Sequence, residues 1–554
     1  FVDRAQSVRP NFSLEKENFA SVVEICRRLD GLPLAIELAA ARVKVLQPQA
    51  ILSHLDDRLK FLKGGSRDLP ARQQTLRNTL EWSYDLLGES ERQLFDRLSV
   101  FVGGFTLEAV EAVCNPKGHL DILEGLTTLI NNSLIRQDDT PDGEPRFTML
   151  ETIRSYALEQ LTKSGELETL RRNHANFFGE VVNHRIGFEI YSSKALYWLN
   201  WLERELDNIR ATISWSLDSQ ENTIMATQIV FSLIWFWYRR GYFIEGLMWA
   251  EQILASPAMQ APSMLRALAL SASGILAVWK GEQDKGLKQL QESLAFLQET
   301  QTAEINQWIA PALMSNAVAL INMGRDQAAR PQLENARELF KQQGNAYFHT
   351  ITLVHLGNVE LGLGHPDRAH TVLDEAHAIA KTLNENWILS FVLNNLGEVA
   401  RTQGKFALAR QYYEECQGLL KDTGDRGDVA RFVHSLGYIA QHEEDFELAE
   451  SQFRDSLQKF RRLGNRRGIA ESLAGLAGLQ ARRGHLQWGA TLLGAAENLL
   501  QSTGGAWWPA DRLEVEQNRT SLEYALSDEE FIKAWQDGEK MTIEQAIEFA
   551  SHAP

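Results

Sequence analysis

The chain has 554 residues, 44% of them hydrophobic and 23% charged, with a formal charge of −17. This suits three or four domains of ordinary globular composition. It opposes general nucleic-acid binding, whose affinity rests on neutralising phosphates. No apolar run is long enough to span a membrane. Cys26, Cys114 and Cys416 are far apart and in no metal or redox spacing, so we expect reduced thiols, a cytoplasmic location and no bound metal. No signal peptide is recognisable, and the chain opens on Phe1 in mid-pattern, so a piece of a longer protein is expected.

Residues 1–72 read as a helical subdomain. Phe19–Leu29 is amphipathic, Pro33 fits the first position of a helix running through Val45, and Ile51–Leu62 supplies a third. In residues 73–164, helices are expected at Thr75–Leu87, Glu89–Val100, Thr106–Val113 and Leu120–Asn132. Two short strands, Ser133–Gln137 and Arg146–Met149, flank an acidic turn, and Leu150–Leu161 returns to helix. Helices followed by a hairpin suggest a winged helix. A DNA-reading helix needs side chains such as Arg, Lys, Asn or Gln at base edges. Thr106–Cys114 offers Glu108 and Glu111 instead, so no direct DNA binding is expected. Residues 165–222 read as two long helices, Leu170–Asn183 and Ala195–Leu217. The Trp-rich stripe that starts there and runs past Trp235 to Trp279 has the spacing of a core, with a sensing site around Trp235 as the fallback.

From 223 to 505 the sequence repeats every 40 residues. Gly357, Gly397, Gly437 and Ala477 align. Seven positions on come Gly364, Gly404, Glu444 and Gly484, and sixteen on come Leu373, Tyr413, Phe453 and Leu493. Earlier copies extend the register back to Gly241, which gives about seven. Such a period marks a stacked helical-pair solenoid. The first column lets the second helix approach, and the second marks the turn, where a residue without Cβ takes positive φ. These spacings resemble the tetratricopeptide repeat, with longer units. Residues 506–554 read as a helical cap over the last repeat. The fold class is therefore all-α, with a small β-hairpin wing.

The segment from Cys26 to Glu37 (CRRLDGLPLAIE) resembles the GLPLA segment of the NB-ARC family. These are signal-transduction ATPases of the STAND class, and the resemblance is to bacterial regulators with tetratricopeptide arms. It implies that Pro33 lies against the adenine of ADP or ATP, with Gly31 and Leu32 shaping the turn. No G-x-x-x-x-G-K-[ST] occurs, so nucleotide is expected only together with an upstream ATPase half, and no catalysis by this chain alone. The family's Met-His-Asp segment aligns with Met149-Leu150-Glu151, which puts phosphate sensing in doubt. The implied work is regulatory: an arm that holds the ATPase closed until an inducer binds, with assembly of the full-length protein on activation. The alternative is a free-standing adaptor that binds a protein partner.

In this family the first helix of each repeat lines the concave face. The outward positions include Asn394, Glu398, Arg401, Arg431, His434 and Tyr438. Arginines beside an aromatic suit an anionic or carbonyl-bearing ligand. The competing possibility is that Glu398 pairs with these arginines and closes the groove.

Overall fold

Apolar residues recur at helical spacing through most of the sequence, and the computed structural model is α-helical to match. It describes every residue except 10–11, 30–35, 37–38, 41, 56–75, 141–142, 219–221, 301, 422 and 553–554. Two compact units are present: residues 1–181 with 203–215, and residues 182–202 with 216–554.

The first unit begins with α1 (Val2–Val8), α2 (Lys16–Arg28), α3 (Pro48–His54) and α4 (Leu76–Asp85). The stretch carrying Gly31, Leu32 and Pro33 lies outside the described residues. Next come α5 (Glu89–Leu98), β1 (Phe105–Thr106), α6 (Leu107–Cys114), α7 (Ile122–Asn131), β2 (Arg136–Asp138), β3 (Arg146–Thr148), α8 (Glu151–Ser164) and α9 (Leu167–Glu180). The side chains of Thr106 and Asp121 accept from Ala109 and Glu124 N–H, capping α6 and α7. The sheet order is β1-β3-β2, antiparallel throughout, with Phe105 opposite Phe147.

This is a winged helix, with two departures from the expectation. A third strand, β1, is only two residues long, too short to show alternation. The helix before the hairpin, α7, is where Leu120–Asn132 was expected, so the helix to weigh for base reading is α7 rather than Thr106–Cys114. Its exposed positions Leu123, Glu124, Thr127 and Asn131 carry no basic residue.

The helix expected over Ala195–Leu217 is two, α10 (Ala195–Arg204) and α11 (Leu206–Leu217). The break falls at Glu205, which turns inward to pair with Arg146 of β3. Beside it, Asn208 accepts from Val102 N–H at 2.7 Å and donates to Gly104 O at 2.9 Å. Glu205 thus ties β3, and Asn208 the loop before β1, to the N-terminal end of α11.

The second unit stacks helix pairs. The first is α12 (Thr223–Ser232) and α13 (Ile234–Arg239) against α14 (Phe243–Ala255). Then follow α15 (Met264–Lys280) with α16 (Gln283–Thr300), α17 (Ala303–Asn322) with α18 (Asp326–Gln342), and α19 (Ala346–Gly362) with α20 (Pro366–Leu383). The last three are α21 (Asn386–Thr402) with α22 (Phe406–Leu420), α23 (Gly427–His442) with α24 (Phe446–Leu463), and α25 (Arg466–Arg482) with α26 (Leu486–Ser502). A Cβ on Gly357, Gly397 or Gly437 would meet Leu373, Tyr413 or Phe453 at 2.8, 2.6 and 2.8 Å. Each glycine is thus the seat of the large residue of its own repeat.

The solenoid closes on itself. Arg426 N–H donates to Arg239 O at 3.0 Å and Ala506 N–H to Asn322 O at 2.8 Å, while Leu463 packs at Gly241. Turns of the first three pairs therefore rest on turns of the last ones. The tail is α27 (Pro509–Ala525), α28 (Asp528–Glu539) and α29 (Ile543–Ser551). α28 packs on α26 so closely that a Cβ on Gly538 would fall 2.0 Å from Thr491 O. No helix among the described residues is long and apolar enough to cross a membrane.

The turn column takes positive φ at Gly364, Gly404 and Gly484, but Glu444 sits there at φ 62°. A side chain in this region costs about 1–2 kcal/mol, partly offset by the freedom glycine adds to the unfolded chain. Glu444 is exposed, so Glu444→Gly should stabilise the solenoid by about 0.5–1 kcal/mol. Urea denaturation checks this, and an unchanged or lowered midpoint would count against it.

Candidate functional site

The inner helices bring the sequence-selected residues together. Asn394, Glu398 and Arg401 lie along α21, and Arg431, His434 and Tyr438 along α23. They are not on an open groove. Glu398, His434 and Tyr438 are 0% exposed and Arg401 is 3% exposed, because α27 runs along the inside of the solenoid. The expected openness is therefore corrected: the tail caps the last repeat with α28 and fills the concave face with α27.

The reason is charge. Buried guanidiniums need carboxylates. Asp511 of α27 pairs with Arg401, with Arg431 at 2.9 Å and with His434 at 3.3 Å. Glu514 meets His442 at 2.8 Å and Arg401 at 3.4 Å. Arg431 also donates to Glu398 at 3.1 Å and to Glu471 at 2.7 Å. Trp508 donates its indole N–H to Glu398, and the Arg431 and Arg467 guanidiniums each lie 5.0 Å from its ring. Burial alone would raise the Asp511 carboxyl, but Arg431, Arg401 and His434 overcome it and hold it well below the usual range. The anion that these cations suit is the chain's own.

Beside this cluster the solenoid holds a partly open cavity of about 930 Å³, the size of a small-molecule site. One wall is aromatic, with Trp235, Tyr238, Trp279, Trp308 and Trp387. The polar lining comprises Asn394, Asn395, Asp428, Arg431, Arg467 and Glu471, and Trp508 of the tail also lines the cavity. Of the residues chosen from sequence, Asn394 and Arg431 line the cavity, whereas Glu398, Arg401, His434 and Tyr438 do not.

Asp428 is half-buried and lines the cavity. It accepts from the Tyr238 hydroxyl at 3.0 Å and the Trp387 indole at 2.6 Å. Burial pushes its carboxyl up to about 6; Asp425 adds to this, while Trp387, Tyr238 and Arg239 oppose it. Burial lowers His355, also on the cavity, to about 4, so it is neutral at pH 7. Among the described residues no cluster of His, Cys, Asp and Glu has metal-binding geometry.

Sequence reasoning missed Asp428, Asp511 and Glu514. For the tail pair a signal was present. Asp511 and Glu514 stand three apart on one helix face, opposite arginines that needed partners. Asp428 has no such signal, because its place at the cavity depends on closure of the ring.

Residues 87–162 match the family model described as a winged helix-turn-helix domain, and residues 351–422 match the tetratricopeptide repeat. Both expected modules are thus matched. Provisionally named HTH-type transcriptional regulators of Mycobacterium bovis and Mycobacterium tuberculosis are 38% identical over 308 residues, covering 54% of this chain. The chain spans only 34% of the length of these relatives. An uncharacterized Mycobacterium tuberculosis protein is 40% identical over 176 residues, 31% of this chain and 44% of its own length. Among solved structures, a STAND protein with a tetratricopeptide repeat sensor from Pyrococcus horikoshii aligns over 90% of this chain and 74% of its own. The TM-score is 0.47 and the identity 16%.

Removing one partner of a buried ion network costs about 3–5 kcal/mol. Asp511→Ala should lower solenoid stability on that scale in urea at pH 7, and an unchanged midpoint would contradict the pairing described. Because Asp511 is held below its ordinary value, its contribution is full above about pH 4 and is lost as pH falls through the folded value. The gap between wild type and Asp511→Asn should therefore narrow in acid.

Proposed function

We propose that this chain is the regulatory and sensor portion of a STAND-type ATP/ADP switch in transcriptional or other signalling control. The observation that carries this is the aromatic-walled cavity inside a repeat solenoid that binds its own tail. A small ligand entering there contacts α13, α15, α21 and α23 together, and through Trp508 it contacts the tail. A ligand that favours one arrangement of these elements shifts the equilibrium by its differential affinity. The inducer reading thus moves from the outward groove positions to the cavity.

In this reading Gly31, Leu32 and Pro33 form the adenine wall, and the phosphates and Mg²⁺ are held by an upstream ATPase half. ADP keeps the switch closed, and inducer binding releases it for exchange and assembly into an oligomer in the cytoplasm. With Leu150 at the position of the family's histidine, the winged helix contributes packing rather than phosphate contact. Glu151 begins α8 and pairs with Arg154 at 2.8 Å, as suits a helix N-terminus.

The cavity can be blocked by Ser315→Trp, since Ser315 lines it and is half-buried. In a chain joined to its nucleotide-binding half, this variant should stay ADP-bound and fail to exchange in the presence of inducing cell extract. Wild-type exchange by the variant would refute sensing at the cavity.

Direct DNA contact forms no part of this function. α7 presents no base, and the whole chain is acidic. A gel-shift series at low salt should show no complex with this chain; a salt-sensitive complex at submicromolar protein would overturn the electrostatic argument.

A further inference from the structure

The aromatic wall of the cavity has a definite shape. Trp235 and Trp387 meet edge to face at 4.7 Å, Trp235 and Tyr238 stack at 5.7 Å, and Tyr238 and Trp279 lie 4.5 Å apart. Trp279 and Trp235 close the set at 6.5 Å. Asp428 is fixed against this group by the Tyr238 hydroxyl and the Trp387 indole, both neutral donors. Arg239, which lies 5.5 Å from the Trp387 ring, is engaged by Asp425 through two hydrogen bonds and by Glu385 at 3.3 Å. Three carboxylates thus surround one guanidinium, and the one facing the cavity is held by neutral groups alone.

One turn along α23 from Asp428 the balance is different. Arg431 is matched by Glu398, Glu471 and Asp511, and Arg467 by Glu471 at 3.0 Å. An anionic ligand would have to compete with these carboxylates, whereas a cation would meet an aromatic face and a carboxylate short of positive charge. Ring faces attract cations through their quadrupole, most strongly where water is excluded.

We propose that the group formed by Trp235, Tyr238, Trp279, Trp387 and Asp428 binds the head of an organic cation, an alkylammonium whose apolar body fills the rest of the cavity. This deepens the sensor reading by naming the inducer's class, and as a regulatory claim it rests on that reading; the binding claim is tested separately.

The test uses this chain and three probes that share one arene: trimethyl(2-phenylethyl)ammonium, 2-phenylethanol and 3-phenylpropionate, titrated calorimetrically at pH 7.5. The cation should bind saturably, one per chain, at least tenfold more tightly than the alcohol, and the carboxylate more weakly than either. Asp428→Asn should abolish the preference for the cation while leaving alcohol binding within twofold. Should that variant lose its cooperative melt, Trp279→Leu carries the same comparison, because Trp279 joins the group through ring contacts. It should weaken the cation by tenfold and the alcohol by less. Equal or tighter binding of the alcohol or carboxylate, an undiminished preference in the folded variants, or no saturable binding of any probe would overturn the proposal. Cation binding with no effect on nucleotide exchange in the longer chain would refute sensing and leave the site standing.

Discussion

Two guanidiniums on adjacent inner helices are largely removed from water, and neither can remain so without a carboxylate beside it. Asp511 meets both Arg401 and Arg431, and it comes from a helix that begins after the last repeat. Much of the interior follows from this. α27 is drawn into the concave face, Trp508 is set between Arg431 and Arg467, and the tail becomes a wall of the cavity. A buried ion network of this kind adds little net stability compared with an apolar filling. Its value lies in register, since α27 cannot slide a turn along the groove without stranding charges.

The repeat architecture was legible because its code is local. A glycine in the first helix and a large residue in the second belong to one pair, so the steric fit at Gly397 and Tyr413 is written within a few turns of chain. Glu444 shows that the turn column is a backbone requirement met even by an unsuitable residue. Long-range features were not legible in the same way. Arg401 and Asp511 are 110 positions apart, and no local pattern says which segment will supply a buried arginine's partner. The break at Glu205 was hidden for a like reason: α10 and α11 have continuous helical periodicity, and only Arg146 of a distant strand interrupts them. In the winged helix, β1 is too short to alternate, and the two-residue strand before Leu107–Cys114 left no signal in the sequence.

The solenoid interior is electrically divided. Asp511 and Asp428 are the same residue type in the same enclosure, yet their carboxyls move in opposite directions. Guanidiniums outweigh burial at Asp511; at Asp428 burial prevails over two neutral donors and an Arg239 already shared with Asp425 and Glu385. The contrast is within the lining itself: Arg431 is matched by several carboxylates, while Asp428, one turn away on α23, takes its hydrogen bonds from neutral donors.

Open solenoids are modular: each unit touches only its neighbours, and units are gained or lost with little harm. Here Arg426 holds Arg239 and Ala506 holds Asn322 across the closure of the ring. A whole-repeat duplication or deletion, neutral in an open array, would misplace every one of these contacts by one unit's rotation. The copy number in this chain is therefore a fixed structural constant.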